Sequence, residues 1–168
     1  MDMPSPAEPT TPKNEIPRRP RWFRRIAIIS ASFLLLVLAA IMIPCFVDSR
    51  SAANESSAVG SLRLISAAQA DFSKEHPGKG YATSLAELRL SFGDGLIDLA
   101  LTSGTKNGYV FTITPGTPDA SGHITSYTAT ANPERFQKTG FRSFFIDDSG
   151  LIRYTIENRP ATAADPRL

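Results

Sequence analysis

The 168-residue chain contains a single cysteine, Cys45, and only two histidines, His76 and His123. A lone cysteine excludes an internal disulfide, so packing alone has to hold the fold. No cysteine follows Val47, which excludes a thiol nucleophile in the remaining chain. Both histidines stand beside glycine or proline in predicted turns, and we interpret them as exposed loop residues.

The chain also lacks the short motifs of nucleotide-binding loops, serine-hydrolase elbows, zinc proteases and paired-cysteine metal sites. We therefore expect no enzymatic activity and no cofactor. A Ser-His-Asp arrangement stays open, because such triads assemble in space rather than in sequence. Asp147 and Asp148 are weak candidates for calcium ligands, but their spacing does not match an EF-hand loop, and aspartate beside glycine is typical of turns.

Charge is distributed unevenly along the chain. Residues 1–25 carry six basic and three acidic residues and so have a net charge of +3. The remaining chain has a net charge of −1, and the two together give the total of +2. The segment is also rich in proline and poor in apolar residues, which predicts a disordered tail. The basic balance therefore reflects one short segment, and we expect no nucleic-acid partner.

The 22 residues from Ile26 to Val47 contain no charge. A helix of this length rises roughly 33 Å at ~1.5 Å per residue, enough to cross a hydrocarbon core of ~30 Å. The positive-inside tendency predicts that the arginines before the run stay in the cytoplasm and that the chain after Val47 is exported. The arginines that would determine this topology are Arg18, Arg19, Arg21, Arg24 and Arg25.

A cleaved signal peptide and a lipid anchor on Cys45 are alternatives to this anchor. The apolar core of a signal peptide usually has ~7–15 residues, fewer than this run. Cys45 follows Pro44, whereas lipoprotein processing requires a small residue before the cysteine. We therefore predict an uncleaved single-pass protein of the inner membrane, with a cytoplasmic N-terminus and a periplasmic C-terminal domain.

The predicted organisation has four parts. Residues 1–25 form the cytoplasmic tail, 26–47 the transmembrane helix, 48–158 the exported domain and 159–168 a flexible C-terminal tail. The 111 residues of the domain are enough for one modest hydrophobic core.

The chain from Ser51 to Glu75 has the pattern of an amphipathic helix. Its apolar residues recur at steps of three and four, and the following His76-Pro77 favours an end at Glu75. We expect one face of this helix to pack on a sheet. The packing residues are Ala58, Leu62, Ile65, Ala68 and Phe72.

The rest of the domain combines short helices with strands. Ser84 and Glu87 match a capping box, which predicts a short helix, and residues 96–101 favour another. Alternating β-branched and aromatic residues then predict an antiparallel sheet, so the fold class is α+β. The predicted strands are residues 109–113, 124–131, 141–146 and 151–156.

Five short stretches of the chain form a recognisable combination. They are Asn54-Glu55-Ser56-Ser57-Ala58-Val59-Gly60-Ser61-Leu62-Arg63, Ala67-Ala68-Gln69-Ala70, Gly80-Tyr81-Ala82 with Leu85 and Leu88, Gly108-Tyr109-Val110-Phe111, and Asp148-Ser149-Gly150-Leu151-Ile152-Arg153. Together with the apolar run, this combination resembles type IV pilin-like proteins, including the pseudopilins of type II secretion.

The resemblance implies a long N-terminal helix whose membrane half anchors or bundles subunits and whose outer half packs on an antiparallel sheet. It also implies a structural or assembly role, with the lipid bilayer, further copies of the chain, or pilin and secretion subunits as partners. The chain departs from the family pattern, because no glycine precedes Ile26 and no glutamate interrupts the apolar run. The alternative is a membrane-tethered binding or sensory domain that does not polymerise.

Overall fold

The computed structural model of the chain describes residues 21–92 and 97–168, and for residues 21, 23, 24, 27, 39 and 41–48 it describes the backbone alone. Most of the predicted N-terminal tail therefore lies outside the described residues, as do Arg18 and Arg19. The chain divides into two compact units, Met1–Met42 and Ile43–Leu168.

Helix α1 comprises Arg21–Glu75 and contributes to both units. It begins five residues before the predicted transmembrane helix, so residues 21–25 are helical rather than part of a disordered tail. In the first unit the six consecutive apolar residues 33–38 are each between 37% and 70% exposed. Within the part of the chain whose side chains are described, no helix is both long and apolar enough to cross a membrane. The final part of the predicted span, residues 41–47, lies outside that part.

In the second unit α1 places one apolar face in the core. The five residues predicted to pack against the sheet are all buried, and Leu62, Ile65 and Ala68 have no exposed surface. The helix ends at Glu75, where Pro77 supplies no backbone N–H to continue it.

Two short helices follow α1. In α2, Leu85–Phe92, the Glu87 N–H donates to the Ser84 hydroxyl at 3.1 Å, and the Glu87 carboxylate accepts from the N–H of Thr83 at 2.9 Å. The capping box is therefore present, but its return bond reaches one residue further back than the usual pattern. Helix α3, Leu99–Thr102, begins after Asp98, whose carboxylate accepts the Leu101 N–H at 2.7 Å, and residues 93–96 are outside the described part.

The described residues form an α+β fold with one five-stranded antiparallel sheet in the order β1-β2-β3-β4-β5, which confirms the predicted fold class at this level. The sheet includes a short strand that the sequence did not predict, β1. Strand β3 begins three residues later than predicted, because Ile124 forms bridges with Gly80 and Pro118 instead. The strands are β1 Thr105–Lys106, β2 Tyr109–Pro115, β3 Tyr127–Pro133, β4 Ser143–Asp147 and β5 Arg153–Thr155.

The C-terminal segment differs from the predicted flexible tail. The backbone N–H of Tyr154 donates to the carbonyl of Pro166 at 3.0 Å, and the N–H of Leu168 donates to the carbonyl of Ile152 at 2.9 Å. Residues 166–168 therefore lie along β5. Arg159 and Asp165 form a bidentate ion pair with N–O distances of 2.8 and 2.6 Å. The prediction of a free tail missed this pair because both residues look like ordinary surface charges in the sequence.

Candidate functional site

Polar side chains at the start of the second unit attach α1 to the loop between β3 and β4, residues 134–142, here called the β3–β4 loop. The Ser51 hydroxyl donates to the carbonyl of Lys138 at 3.3 Å, and the Asn54 amide donates to the carbonyl of Thr139 at 2.9 Å. These bonds satisfy loop carbonyls that no strand partner reaches. Polar contacts therefore hold the loop against the helix.

Glu55 is the charged residue at the centre of this junction and is only 6% exposed. Its carboxylate accepts from the backbone N–H of Phe141 at 2.8 Å and from Nε of Arg142 at 2.7 Å. The Tyr109 hydroxyl donates to the Arg142 carbonyl at 2.8 Å, and burial, together with the nearby Glu55 carboxylate, raises the pKa of Tyr109. A buried carboxylate with two strong donors fixes the position of the loop.

The β3–β4 loop also has a compact internal structure. The backbone N–H groups of Lys138 and Thr139 both donate to the carbonyl of Arg135, and Gln137 adopts a positive φ of 63°. Gly140 approaches Tyr109 so closely that a Cβ atom at this position would lie 2.0 Å from the tyrosine oxygen. The loop therefore presents its side chains from a defined backbone.

A pocket of about 180 Å³ opens between α1 and this loop. We call it the basic pocket, because three of its five lining residues are cations and none is a carboxylate. Sequence reasoning missed it, since Arg50 is 85 residues from Arg135 and no local motif relates them. The lining residues are Arg50, Asn54, Arg135, Lys138 and Thr139.

A larger cleft of about 440 Å³ lies near the end of α1. We call it the His123 cleft. Its polar groups do not form a catalytic triad: the Ser73 hydroxyl donates to the carbonyl of Ala70 at 3.0 Å, and Nδ1 of His123 is 3.8 Å from the Asp119 carboxylate, too far for a hydrogen bond. The cleft is lined by Ser73, Pro77, Gly80, Tyr81, His123, Ile124 and Thr125.

The weak metal candidates lie at the turn between β4 and β5. One Asp147 carboxylate oxygen accepts from the backbone N–H and from the hydroxyl of Ser149, which is the arrangement of an aspartate turn. Asp148 is exposed. Among the described side chains, which exclude those of residues 41–48, no three His, Cys, Asp or Glu residues are grouped as metal ligands would be.

The predicted topology determinants belong to the other unit. Arg25 is exposed on α1, whereas the side chains of Arg21 and Arg24 are outside the described part of the chain. The predicted membrane orientation is not tested by the described residues and stays a prediction.

Comparison with known proteins gives no match to a protein-family model, a curated protein or a solved structure.

Proposed function

We propose that the chain is a membrane-anchored, pilin-like structural or assembly component with no enzymatic activity. The observation that carries this proposal is the composition of α1, which joins an exposed apolar stretch to the core helix of an antiparallel sheet domain. The pilin-like sequence motifs support the same interpretation. The proposed partners are the lipid bilayer and either further copies of the chain or pilin and secretion subunits.

The membrane anchor is supported by the exposed side chains of the first unit. Because successive residues of an α-helix are about 100° apart, the six apolar residues 33–38 cover every face of α1. A helix that is apolar all round needs an apolar surrounding. We propose that lipid provides it along residues 26–47, with the preceding arginines on the cytoplasmic side.

The assembly role is supported by the division of α1 between two kinds of surface. The apolar face formed by Ala58, Leu62, Ile65, Ala68 and Phe72 is buried within the domain, whereas the apolar residues 33–38 of the first unit are exposed. Side-by-side association of these apolar helices would place several copies of the domain at one membrane surface. In this proposal the first part of α1 makes the intersubunit contacts.

A second candidate function is a membrane-tethered binding domain that remains monomeric. The His123 cleft favours it, because a volume of about 440 Å³ is within the usual size of small-ligand sites. Its Tyr81 ring and His123 imidazole combine an apolar surface with polar groups, which suits a small polar ligand.

Cysteine cross-linking of the full-length protein in membranes distinguishes the two functions. We would replace Cys45 with serine and introduce single cysteines at residues 33–38 in turn. Association through one helix face predicts cross-linked dimers at positions spaced three or four residues apart. A cysteine at Leu90, which is 85% exposed on α2, serves as the control for random collisions.

The outcome of this scan decides the proposal. A periodic pattern in residues 33–38, with little dimer from the Leu90→Cys protein, supports assembly through the apolar helix. Equal, weak cross-linking at every position, with a monomeric mass for the purified protein, contradicts it and favours the tethered binding domain.

A further inference from the structure

Several cations of the second unit form ion pairs, whereas the three cations of the basic pocket form none with a carboxylate of the described residues. Lys74, Lys79 and Lys106 each form an ion pair, as do Arg142 and Arg159. Among the described residues, no carboxylate oxygen lies within 4.0 Å of the charged nitrogen atoms of the three cations of the pocket. The pocket therefore brings together three positive charges that no carboxylate of the described side chains pairs with.

The shape and lining of the pocket suit an oxyanion. Its volume of about 180 Å³ is many times the ~10–15 Å³ that a single water needs, which leaves room for a phosphate group. One N–H of the Asn54 amide bonds the Thr139 carbonyl, and Arg50, Arg135 and Lys138 supply the positively charged donors for a ligand. Arginine and lysine side chains are the usual protein ligands of phosphate.

The pocket is built on a supported backbone. Its loop side is fixed by the two bonds to the Arg135 carbonyl, and its helix side is tied to the loop through Ser51 and Asn54. Such support lowers the conformational entropy that a loop loses when a ligand binds.

The position of Arg50 in the chain indicates the source of the phosphate. Arg50 is three residues beyond Val47 in the same helix, an axial distance of about 4.5 Å. The headgroup layer on each side of a bilayer is roughly 5–7 Å thick, by difference between the total and the hydrocarbon thickness. If residues 26–47 span the hydrocarbon core, Arg50 lies at the level of the headgroups.

We infer that the basic pocket binds the phosphate of an anionic phospholipid at the membrane surface where the domain emerges. This inference rests on the proposed anchor, because the anchor determines which phosphates lie within reach. The lipid contact would hold the domain against the surface and limit its rotation about the membrane exit.

Native mass spectrometry of the full-length protein in a neutral detergent tests this inference. The probes are dioctanoyl phosphatidylglycerol, dioctanoyl phosphatidylcholine and inorganic phosphate. We expect phosphatidylglycerol to bind about tenfold more tightly than phosphatidylcholine, because only the former carries a net negative charge. Inorganic phosphate should bind more weakly than phosphatidylglycerol, since it lacks the acyl chains.

Two triple variants with the same change in charge separate the pocket from general electrostatic attraction. The test variant is Arg50→Gln/Arg135→Gln/Lys138→Gln. The control variant, Lys74→Gln/Lys79→Gln/Arg167→Gln, removes three exposed cations that do not line the pocket. Both variants keep the N-terminal arginines, and near-ultraviolet circular dichroism checks that both remain folded.

Loss of the tenfold preference in the test variant, with the preference kept in the control, supports the lipid site. Equal preferences in both variants overturn it, and tight binding of inorganic phosphate assigns the pocket to a free anion instead. The anchor is tested separately by carbonate washing of membranes. Release of the wild-type chain contradicts the proposed anchor, whereas retention of the chain together with an unchanged lipid preference contradicts only the pocket.

Discussion

The side-chain amide of Gln69 forms hydrogen bonds with both backbone polar groups of Ala82. Its carbonyl oxygen accepts the Ala82 N–H at 2.8 Å, and its NH₂ group donates to the Ala82 carbonyl at 2.9 Å. Both residues are completely buried. The amide thus takes the place of a backbone partner for Ala82 and links α1 to the segment before α2 within the apolar core.

Replacing Gln69 with methionine is expected to destabilise the second unit by about 2–6 kcal/mol. Methionine keeps the size of the side chain but leaves two buried backbone groups without partners, and each such group costs about 1–3 kcal/mol. Urea unfolding of the full-length protein in neutral detergent measures the effect. All four tyrosines lie in the second unit, so their near-ultraviolet circular dichroism reports its unfolding.

The control for this substitution is Ser73→Ala on the same helix. The Ser73 hydroxyl bonds only a carbonyl of its own helix, so its loss should change the free energy of unfolding by no more than about 0.5 kcal/mol. Similar costs for the two variants would show that the Gln69 amide does not support Ala82.

Leu62 and Leu64 provide a matched pair for testing the packing of α1. Leu62 has no exposed surface and Leu64 is 41% exposed, although they are two residues apart on one helix. Leu62→Ala should lower the free energy of unfolding by about 2–5 kcal/mol, because it leaves a cavity in the core. Leu64→Ala should cost less than about 1 kcal/mol. Equal effects in urea unfolding would mean that this face of α1 does not pack on the sheet.

Gly80 and Gly122 separate backbone strain from steric contact. Their φ angles are +79° and +82°, so alanine at either position costs about 1–2 kcal/mol from the left-handed conformation. A Cβ at Gly80 would also lie 2.0 Å from the carbonyl oxygen of Ile124, whereas a Cβ at Gly122 would meet nothing within 4 Å. Gly80→Ala should therefore be more destabilising than Gly122→Ala by about 1–3 kcal/mol.

The comparison of these two alanine variants uses thermal unfolding as well as urea. The backbone bridge between Gly80 and Ile124 also forms one wall of the His123 cleft. A Gly80→Ala protein as stable as Gly122→Ala would show that the segment moves aside without cost, and it would argue against a preformed cleft.

Asp98 should make the stability of the domain depend on pH. Hydrogen bonds from Lys106 at 2.6 Å and from the Leu101 N–H lower the pKa of Asp98 in the folded state. The unfolded chain therefore binds the Asp98 proton more readily than the folded chain does. The contribution of Asp98 to folding stability is complete above about pH 4 and is lost as the pH falls through the lowered pKa of the folded state. Asp98→Asn should reduce the slope of unfolding free energy against pH below about pH 4.

The slope is measured by urea unfolding at a series of pH values, with Lys106→Met as the companion variant. Removing the lysine takes away the largest cause of the lowered pKa, so this variant should also have a reduced slope. A wild-type slope in both variants would contradict the role of this pair.

Several elements could be predicted because neighbouring residues determine them. The period of the apolar residues along α1, the proline after its last turn and the Ser84 cap are all local features. The alternating residues of β2 likewise predict a strand, because side chains on a strand point to opposite faces in turn. The aromatic and β-branched residues of β4 favour a strand through their propensity. The bounds of β3 were less accurate, because Ile124 pairs with Gly80, far from it in the sequence.

The sites depend on contacts that no local pattern specifies. Arg50 meets Arg135 and Lys138 only because the β3–β4 loop docks on α1 through Glu55. The C-terminal segment follows β5 because Arg159 pairs with Asp165 and backbone bonds close the turn. Each of these pairings depends on which surface charges become neighbours after folding.

The sequence by itself determined the charge-free run, the apolar face of α1 and the α+β class, because periodic burial of side chains is a local physical requirement. The tertiary structure alone decided that the Gln69 amide bonds the backbone of Ala82, that three cations line one pocket and that the C-terminal segment lies along β5. The contacts of Gln69 and of the C-terminal segment follow from the need to pair polar groups that folding removes from water. The shared pocket follows from the docking of the β3–β4 loop on α1, which brings together residues far apart in the chain.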